Sequence, residues 1–184
     1  MRRAVCAALT AALSLAALAS YYPHQLKESW TYSDGEVQRI AREVQIGGQQ
    51  VAELDHLFGK QLASVDLISY RSSGVYLVGQ EISGKRLLYT PPLLIYPKSP
   101  LTPGLRWSSQ ALQTGGLRVR LSAEVVGETA ISLPLGTFNA LIIETAIQTS
   151  SGAKSLEESY FVPGLGTVRY VTSGGVVDLV KSSP

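Results

Sequence analysis

Leu117-Arg118-Val119-Arg120-Leu121-Ser122-Ala123-Glu124-Val125 alternates apolar and polar residues without a break. Side chains on a strand point to opposite faces with period two, so Leu117, Val119, Leu121, Ala123 and Val125 share one face. Arg118, Arg120, Ser122 and Glu124 share the other. A strand with one apolar and one charged face packs on a core with one side and meets water with the other, the mark of an antiparallel sheet. This stretch decides the fold class, and its neighbours repeat it.

Residues 139–149 run in the same way, with Leu141, Ile143, Thr145 and Ile147 on one face. Gly74 to Ile82, Gly166 to Thr172 and Val176 to Lys181 are further strands, rich in Val, Ile, Tyr and Leu. Ser72-Ser73-Gly74, Ser83-Gly84-Lys85, Thr114-Gly115-Gly116, Ser150-Ser151-Gly152 and Ser173-Gly174-Gly175 separate them as turns. Strands of this length with a turn about every 8–12 residues predict an antiparallel meander. Residues 36–46 fit two readings. Val37, Ile40, Ala41 and Val44 form a helical stripe behind a cap at Asp34, whereas Ile40, Arg42, Val44 and Ile46 fit a strand. Gly47-Gly48 between two runs favours a hairpin into residues 49–58. The expected class is all-β, with one short helix as the alternative at 36–46, built as a curved antiparallel sheet open on one side, a half-barrel meander.

The N-terminus carries a leader. Met1-Arg2-Arg3 is positive, Ala4 to Leu18 is almost wholly Ala and Leu, and Ala17-Leu18-Ala19 offers small residues for a peptidase. Cleavage is expected between Ala19 and Ser20, giving a signal peptide at 1–19 and a single β-sheet domain at 20–184. The apolar run is shorter than the ~20 residues a spanning helix needs, so no stable membrane span is expected after cleavage. Cys6 precedes most of the apolar core, the wrong place for a lipidated cysteine. The expected location is periplasmic or extracellular.

Removing Arg2 and Arg3 leaves 14 basic residues against 14 acidic ones. A neutral chain without a dense Lys/Arg cluster is a poor partner for nucleic acid, and none is expected. The only cysteine is Cys6 and the only methionine Met1, so disulfides, thiol catalysis and Cys-ligated zinc are excluded from the remainder. No cofactor or metal site is expected.

Catalytic signals are weak. The two histidines are His24, in the N-terminal approach and expected to be exposed, and His56, which follows Asp55 on a strand and so faces away from it. No Gly-x-Ser-x-Gly elbow occurs. Gly164-Leu165-Gly166 runs on into a strand at Thr167-Val168-Arg169-Tyr170, where a phosphate cradle would need a helix. Glu53, Asp55, Asp66, Glu81, Glu124, Glu128 and Glu144 offer carboxylate pairs, but any wet sheet face does. No catalytic residue is assigned.

Aromatic residues are the remaining lead. Tyr22-Pro23 leads to Trp30, and Tyr96-Pro97 to Trp107. Proline fixes an extended approach and tryptophan buries a large area where the strand opens. Trp30, Tyr32, Tyr89, Tyr96 and Trp107 form the candidate ligand-binding set. They line a groove for a lipid or glycan in one reading, and fill the core in the other. Both tryptophans are expected to be buried.

Several segments together resemble a known group. Tyr21-Tyr22-Pro23 with Trp30-Thr31-Tyr32, Tyr89-Thr90-Pro91-Pro92-Leu93, Pro103-Gly104-Leu105-Arg106-Trp107, Leu133-Pro134-Leu135-Gly136-Thr137-Phe138 and Tyr160-Phe161-Val162-Pro163-Gly164-Leu165-Gly166 carry the likeness. They look like secreted bacterial proteins of unknown function related to the TapB-like pilus-associated domain. Ser29 stands where that group has glycine before its Trp-x-Tyr. The resemblance implies a curved β-sheet similar to the half-barrels of periplasmic lipoprotein carriers, and it implies no catalytic residue. Three functions follow as expectations: an exported, non-catalytic envelope binding module for an apolar or amphipathic ligand, an assembly factor for surface appendages, or a hydrolase whose site forms only in space. The partners implied are a lipid, a glycan or an envelope protein.

Overall fold

The computed structural model describes residues 21–172 and 174–183; the leader and the Ala19–Ser20 cleavage site lie outside them. Twelve strands follow one another: β1 (Ser29–Tyr32), β2 (Glu36–Ile46), β3 (Gln49–Phe58), β4 (Gln61–Arg71), β5 (Gly74–Ile82), β6 (Lys85–Pro97), β7 (Arg106–Gln113), β8 (Arg118–Leu133), β9 (Gly136–Thr149), β10 (Lys154–Val162), β11 (Gly166–Thr172) and β12 (Gly175–Ser183). Each pairs antiparallel with its neighbours in sequence. The hairpin reading of residues 36–58 holds: β2 and β3 pair from Glu36–Phe58 to Ile46–Gln49. Gly47 and Gly48 turn between them at φ 58° and 77°, the two left-handed residues that a twist-matched two-residue hairpin requires.

The open half-barrel is corrected. β1 pairs with both β2 and β12, Ser29 lying opposite Arg39 on one side and Ser183 on the other, and the sheet closes into a twelve-strand barrel. The physical reason is at the N-terminus. The short β1 bridges Val37–Arg39 of β2 to Leu179–Ser183 of β12, joining two edges that would otherwise be bare, and bare edges are costly and sticky. The alternative of a short helix is also overturned, since every element among the described residues is a strand.

The deciding stretch behaves as its pattern predicts. Val119, Leu121, Ala123 and Val125 are buried while Arg118, Arg120 and Ser122 are exposed. A barrel that spans a membrane turns an apolar band outward; here the outer face of β8 carries the charge. Among the described residues no helix is long and apolar enough to cross a membrane. The interior is filled from several strands. Trp30, Tyr32, Ile40, Ala52, Val168 and Leu179 form one cluster, joined by Ile131 and Ala140 from the far end of the β8–β9 hairpin. Trp107, Leu121, Val125, Ile143 and Phe161 form another.

One seam is stitched by side chains. β6 contains Pro91 and Pro92, which have no N–H to give a ladder, and its pairing with β7 is confined to Tyr89–Gln113 and Thr90–Leu112. Residues of β7 and the turn after it replace the missing bonds. The Leu94 N–H donates to Ser109 Oγ at 3.0 Å, the Trp107 indole N–H donates to the Ile95 carbonyl at 3.1 Å, and the Leu88 N–H donates to Thr114 Oγ1 at 3.1 Å.

The N-terminal segment closes one end of the barrel. The Gly164 N–H donates to the Tyr21 carbonyl, the Tyr22 hydroxyl donates to the Pro97 carbonyl at 2.6 Å, and the Tyr70 hydroxyl donates to the Pro23 carbonyl at 2.9 Å. These contacts reach the ends of β4, β6 and β10 together. His24, expected to be exposed, is half-buried instead, its ring 5.1 Å from that of Tyr70.

Candidate functional site

The five aromatic residues read from the sequence lie in three packed clusters. Trp30 and Tyr32 belong to one cluster, Trp107 and Tyr96 to a second, and Tyr89 to a third with Leu93, Ala111 and Val119. Both tryptophans are buried, 8% and 9% exposed. Each indole N–H meets a backbone carbonyl: Trp30 donates to Leu165 at 2.8 Å, as Trp107 does to Ile95. The Tyr32 hydroxyl donates to the Thr167 carbonyl at 2.9 Å. Their polar tips are thus satisfied by backbone carbonyls.

A polar chain crosses the inner face. Glu36, His56, Asp66 and Gln80 come from β2, β3, β4 and β5; Asp66 lies directly opposite Gln80, while Glu36 and Asp66 each sit two positions along from the residues opposite His56, Gln38 and Ser64, and so reach it diagonally. His56 Nδ1 lies 2.6 Å from Glu36 Oε1, and His56 Nε2 lies 3.3 Å from Asp66 Oδ2. The second contact is off the line of a hydrogen bond, so it acts as a charge contact. The Gln80 amide donates to Asp66 at 2.9 Å, the Tyr89 hydroxyl donates to Gln80 Oε1 at 3.0 Å, and the Gln113 amide donates to the Tyr89 hydroxyl at 3.2 Å. Asp55 faces the other way, as the period-two reading required, and pairs with Arg39 at 3.0 Å.

Burial works against a charge on His56, but the Asp66 and Glu36 carboxylates on either side, the second hydrogen-bonded to it, outweigh it and raise the imidazole to about 9. An unfolded histidine titrates near 6.5. The folded value lies above the unfolded one, so the stabilisation is complete below about pH 6.5 and is lost as pH rises through about 9. Urea unfolding should therefore lose about 3 kcal/mol between pH 6 and pH 9. His56→Gln should flatten that interval, and a flat wild-type profile would contradict the ion set.

The outer face of β7–β10 is concave. Arg106, Glu124, Glu144 and Glu158 stand opposite one another in one row across the four strands, and Ser108, Ser122, Ala146 and Leu156 form the next. A trough of about 670 Å³ lies over these rows. Its floor at Ser122 and Ala146 is small, its far wall is Leu156, 78% exposed, and Arg106 closes one side through a two-pronged pair with Glu124 at 2.8 and 2.9 Å. A second concavity of about 440 Å³ adjoins it two residues further along β8 and β9, over Arg118, Arg120, Gln148 and Ser150. At about 3.4 Å per residue, the β8 residues 118–124 give the combined groove a length of about 20 Å.

The sequence offered part of this surface. Arg118 and Arg120 stood on the wet face of the deciding stretch, and Glu124 and Glu144 were among the candidate carboxylates. Ser108, Ala146 and Leu156 carried no signal, because which strand lies opposite which, and in what register, is not written in any one strand.

The fold and this surface define an antiparallel up-and-down barrel with a packed inside and a groove outside. No family model matches the chain, and a search of curated proteins finds no relative. Similar solved structures include a putative lipoprotein from Parabacteroides distasonis, 11% identical, with a TM-score of 0.49, covering 89% of this chain and 98% of that one. A putative exported protein with a YmcC-like fold from Bacteroides fragilis is 14% identical, with a TM-score of 0.47, covering 89% and 99%. The pilus-associated group named from the motifs has no counterpart in these matches.

Proposed function

We propose that this is an exported, non-catalytic binding protein that holds an envelope partner in the outer groove of β7–β10. The observation that carries the reading is the groove itself: two adjoining concavities on the same outer face, while the inner face is occupied by packed side chains. Pockets that converge a few polar groups on a concave surface are the usual places for ligands. Export is supported by the order of charge, apolar core and small-residue site in residues 1–19.

The non-catalytic reading is supported by His56. A general base must be unprotonated near the working pH, and Glu36 and Asp66 keep this imidazole charged until about pH 9. Ser64 lies directly across from it, yet a charged imidazole cannot take that hydroxyl proton.

Ala146→Trp tests the groove. The position lies on the trough floor, so the ring fills the groove while the inner clusters stay intact. Stability should change by less than about 0.5 kcal/mol, as for surface substitutions generally. Native mass spectrometry of protein purified from its own host should show a bound molecule in the wild type and none in Ala146→Trp. The same molecule retained by the variant, or a wild type that carries nothing, would contradict the reading.

A further inference from the structure

Arginines in this barrel are almost all satisfied. Arg39 pairs with Asp55, Arg42 with Glu53, Arg86 with Glu81 and Glu53, Arg106 with Glu124, and Arg169 with Asp178. Arg71 donates to Gln49 at 2.6 Å and lies over the Tyr76 ring. Among the described arginines, Arg118 and Arg120 alone have neither an ion pair nor a ring beneath them. Both are exposed, and both line the upper concavity of the outer groove.

Their surroundings are chemically specific. Gln110, Arg120, Gln148 and Lys154 stand directly opposite one another across β7, β8, β9 and β10. Lys154 is exposed and likewise forms no ion pair among the described residues. Arg118 and Arg120 sit two positions apart on one strand face, about 7 Å from each other. Two planar five-donor forks at that spacing suit a carboxylate or another oxyanion. The flanking amides of Gln110 and Gln148 both donate and accept, which suits hydroxyl groups.

Charge changes along the groove. The upper part is cationic, the floor at Ser122 is a hydroxyl, and the lower wall carries Glu124, Glu144 and Glu158. A uniformly anionic chain would be repelled at the lower end. A chain whose acid lies at one end, with neutral hydroxyl-bearing units beyond it, matches throughout, because carboxylates accept hydrogen bonds from hydroxyls. A bilayer surface would not enter a concave floor between two rows of side chains.

Resting on the proposed function, we infer that the ligand is an oligosaccharide bearing an acidic sugar, with the acid held by Arg118 and Arg120 and the neutral sugars running over Ser122 and Ala146 toward Glu144. The probes are a tetrasaccharide with glucuronic acid at one end and three N-acetylglucosamine units beyond it, chitotetraose as the neutral counterpart, and phosphatidylglycerol vesicles. Backbone amide shifts of the isotopically labelled protein report the place of binding. The acid-ended tetrasaccharide should shift Gln110, Arg120, Gln148 and Ser122. Its affinity should fall at least tenfold in Arg118→Gln/Arg120→Gln and at least tenfold in 0.5 M NaCl. Chitotetraose should bind at least tenfold more weakly than the acidic sugar.

Equal binding of both sugars at the same amides, unchanged in the double variant, would overturn the acid assignment and leave the groove standing. Silence with both sugars would overturn the glycan assignment; the groove would then stand or fall on whether Ala146→Trp loses its host-derived ligand. Cosedimentation with vesicles that the double variant loses would assign the arginines to a membrane surface instead.

Discussion

Trp107→Ala should destabilise the protein by about 3–5 kcal/mol, the range for deleting a large buried aromatic side chain. Two losses combine. The ring packs with Leu121, Ala123, Val125 and Ile143, and a cavity would remain because barrel strands cannot collapse freely. The indole N–H also bonds the Ile95 carbonyl across the seam where Pro91 and Pro92 leave the β6–β7 ladder thin. Trp107→Phe separates the two, since it keeps most of the packing and removes the donor, at about 1–3 kcal/mol for an unsatisfied buried carbonyl. Chemical denaturation of both variants checks the expectation. An unchanged midpoint for Trp107→Ala would mean that the seam does not depend on this side chain.

Phe161→Ala should cost a similar amount, about 3–5 kcal/mol, and should also release the N-terminal segment. Phe161 is 1% exposed. Its ring centroid lies 5.7 Å from those of Tyr21 and Tyr22 and 5.3 Å from that of Tyr96, spacings at which aromatic pairs attract. Tyr21 and Tyr22 hold the segment that closes one end of the barrel. Limited proteolysis should therefore cut Phe161→Ala near Lys27 under conditions that spare the wild type, whereas Phe161→Leu should remain resistant. Equal resistance in the alanine variant would show that the segment is held by its backbone bonds alone.

The strands were legible because their signal is local. β5 and β11 begin and end where the sequence placed them, and the β2–β3 hairpin follows from Gly47-Gly48. β12 extends only slightly beyond the predicted 176–181. Barrel closure was not legible, because it rests on Ser29 meeting Ser183, and no feature of either residue names the other. β6 hid for a related reason: two prolines argue against a strand, and it is the ladder with β5, helped by side chains of β7 and Thr114, that makes it tenable. His56 shows the same limit. Its strand parity sets it apart from Asp55, yet its real partners, Glu36 and Asp66, sit on two other strands. The aromatic set was recognisable as important by residue type, but register disperses it among three clusters. The outer groove was half visible in Arg118 and Arg120, and its floor of Ser122 and Ala146 emerges only when β8 and β9 are laid side by side.

Closure of the barrel underlies the whole account, since it fills the inside and leaves the outer face as the place for the proposed ligand. Solution NMR tests it directly through nuclear Overhauser contacts between β1 and β12. The account predicts cross-strand contacts linking Trp30 with Ser182 and Thr31 with Lys181, the partners that closure brings together, together with slow amide exchange in both strands. Absent contacts and fast exchange along β1 and β12 would show two free edges, an open sheet, and an inner face available to a ligand.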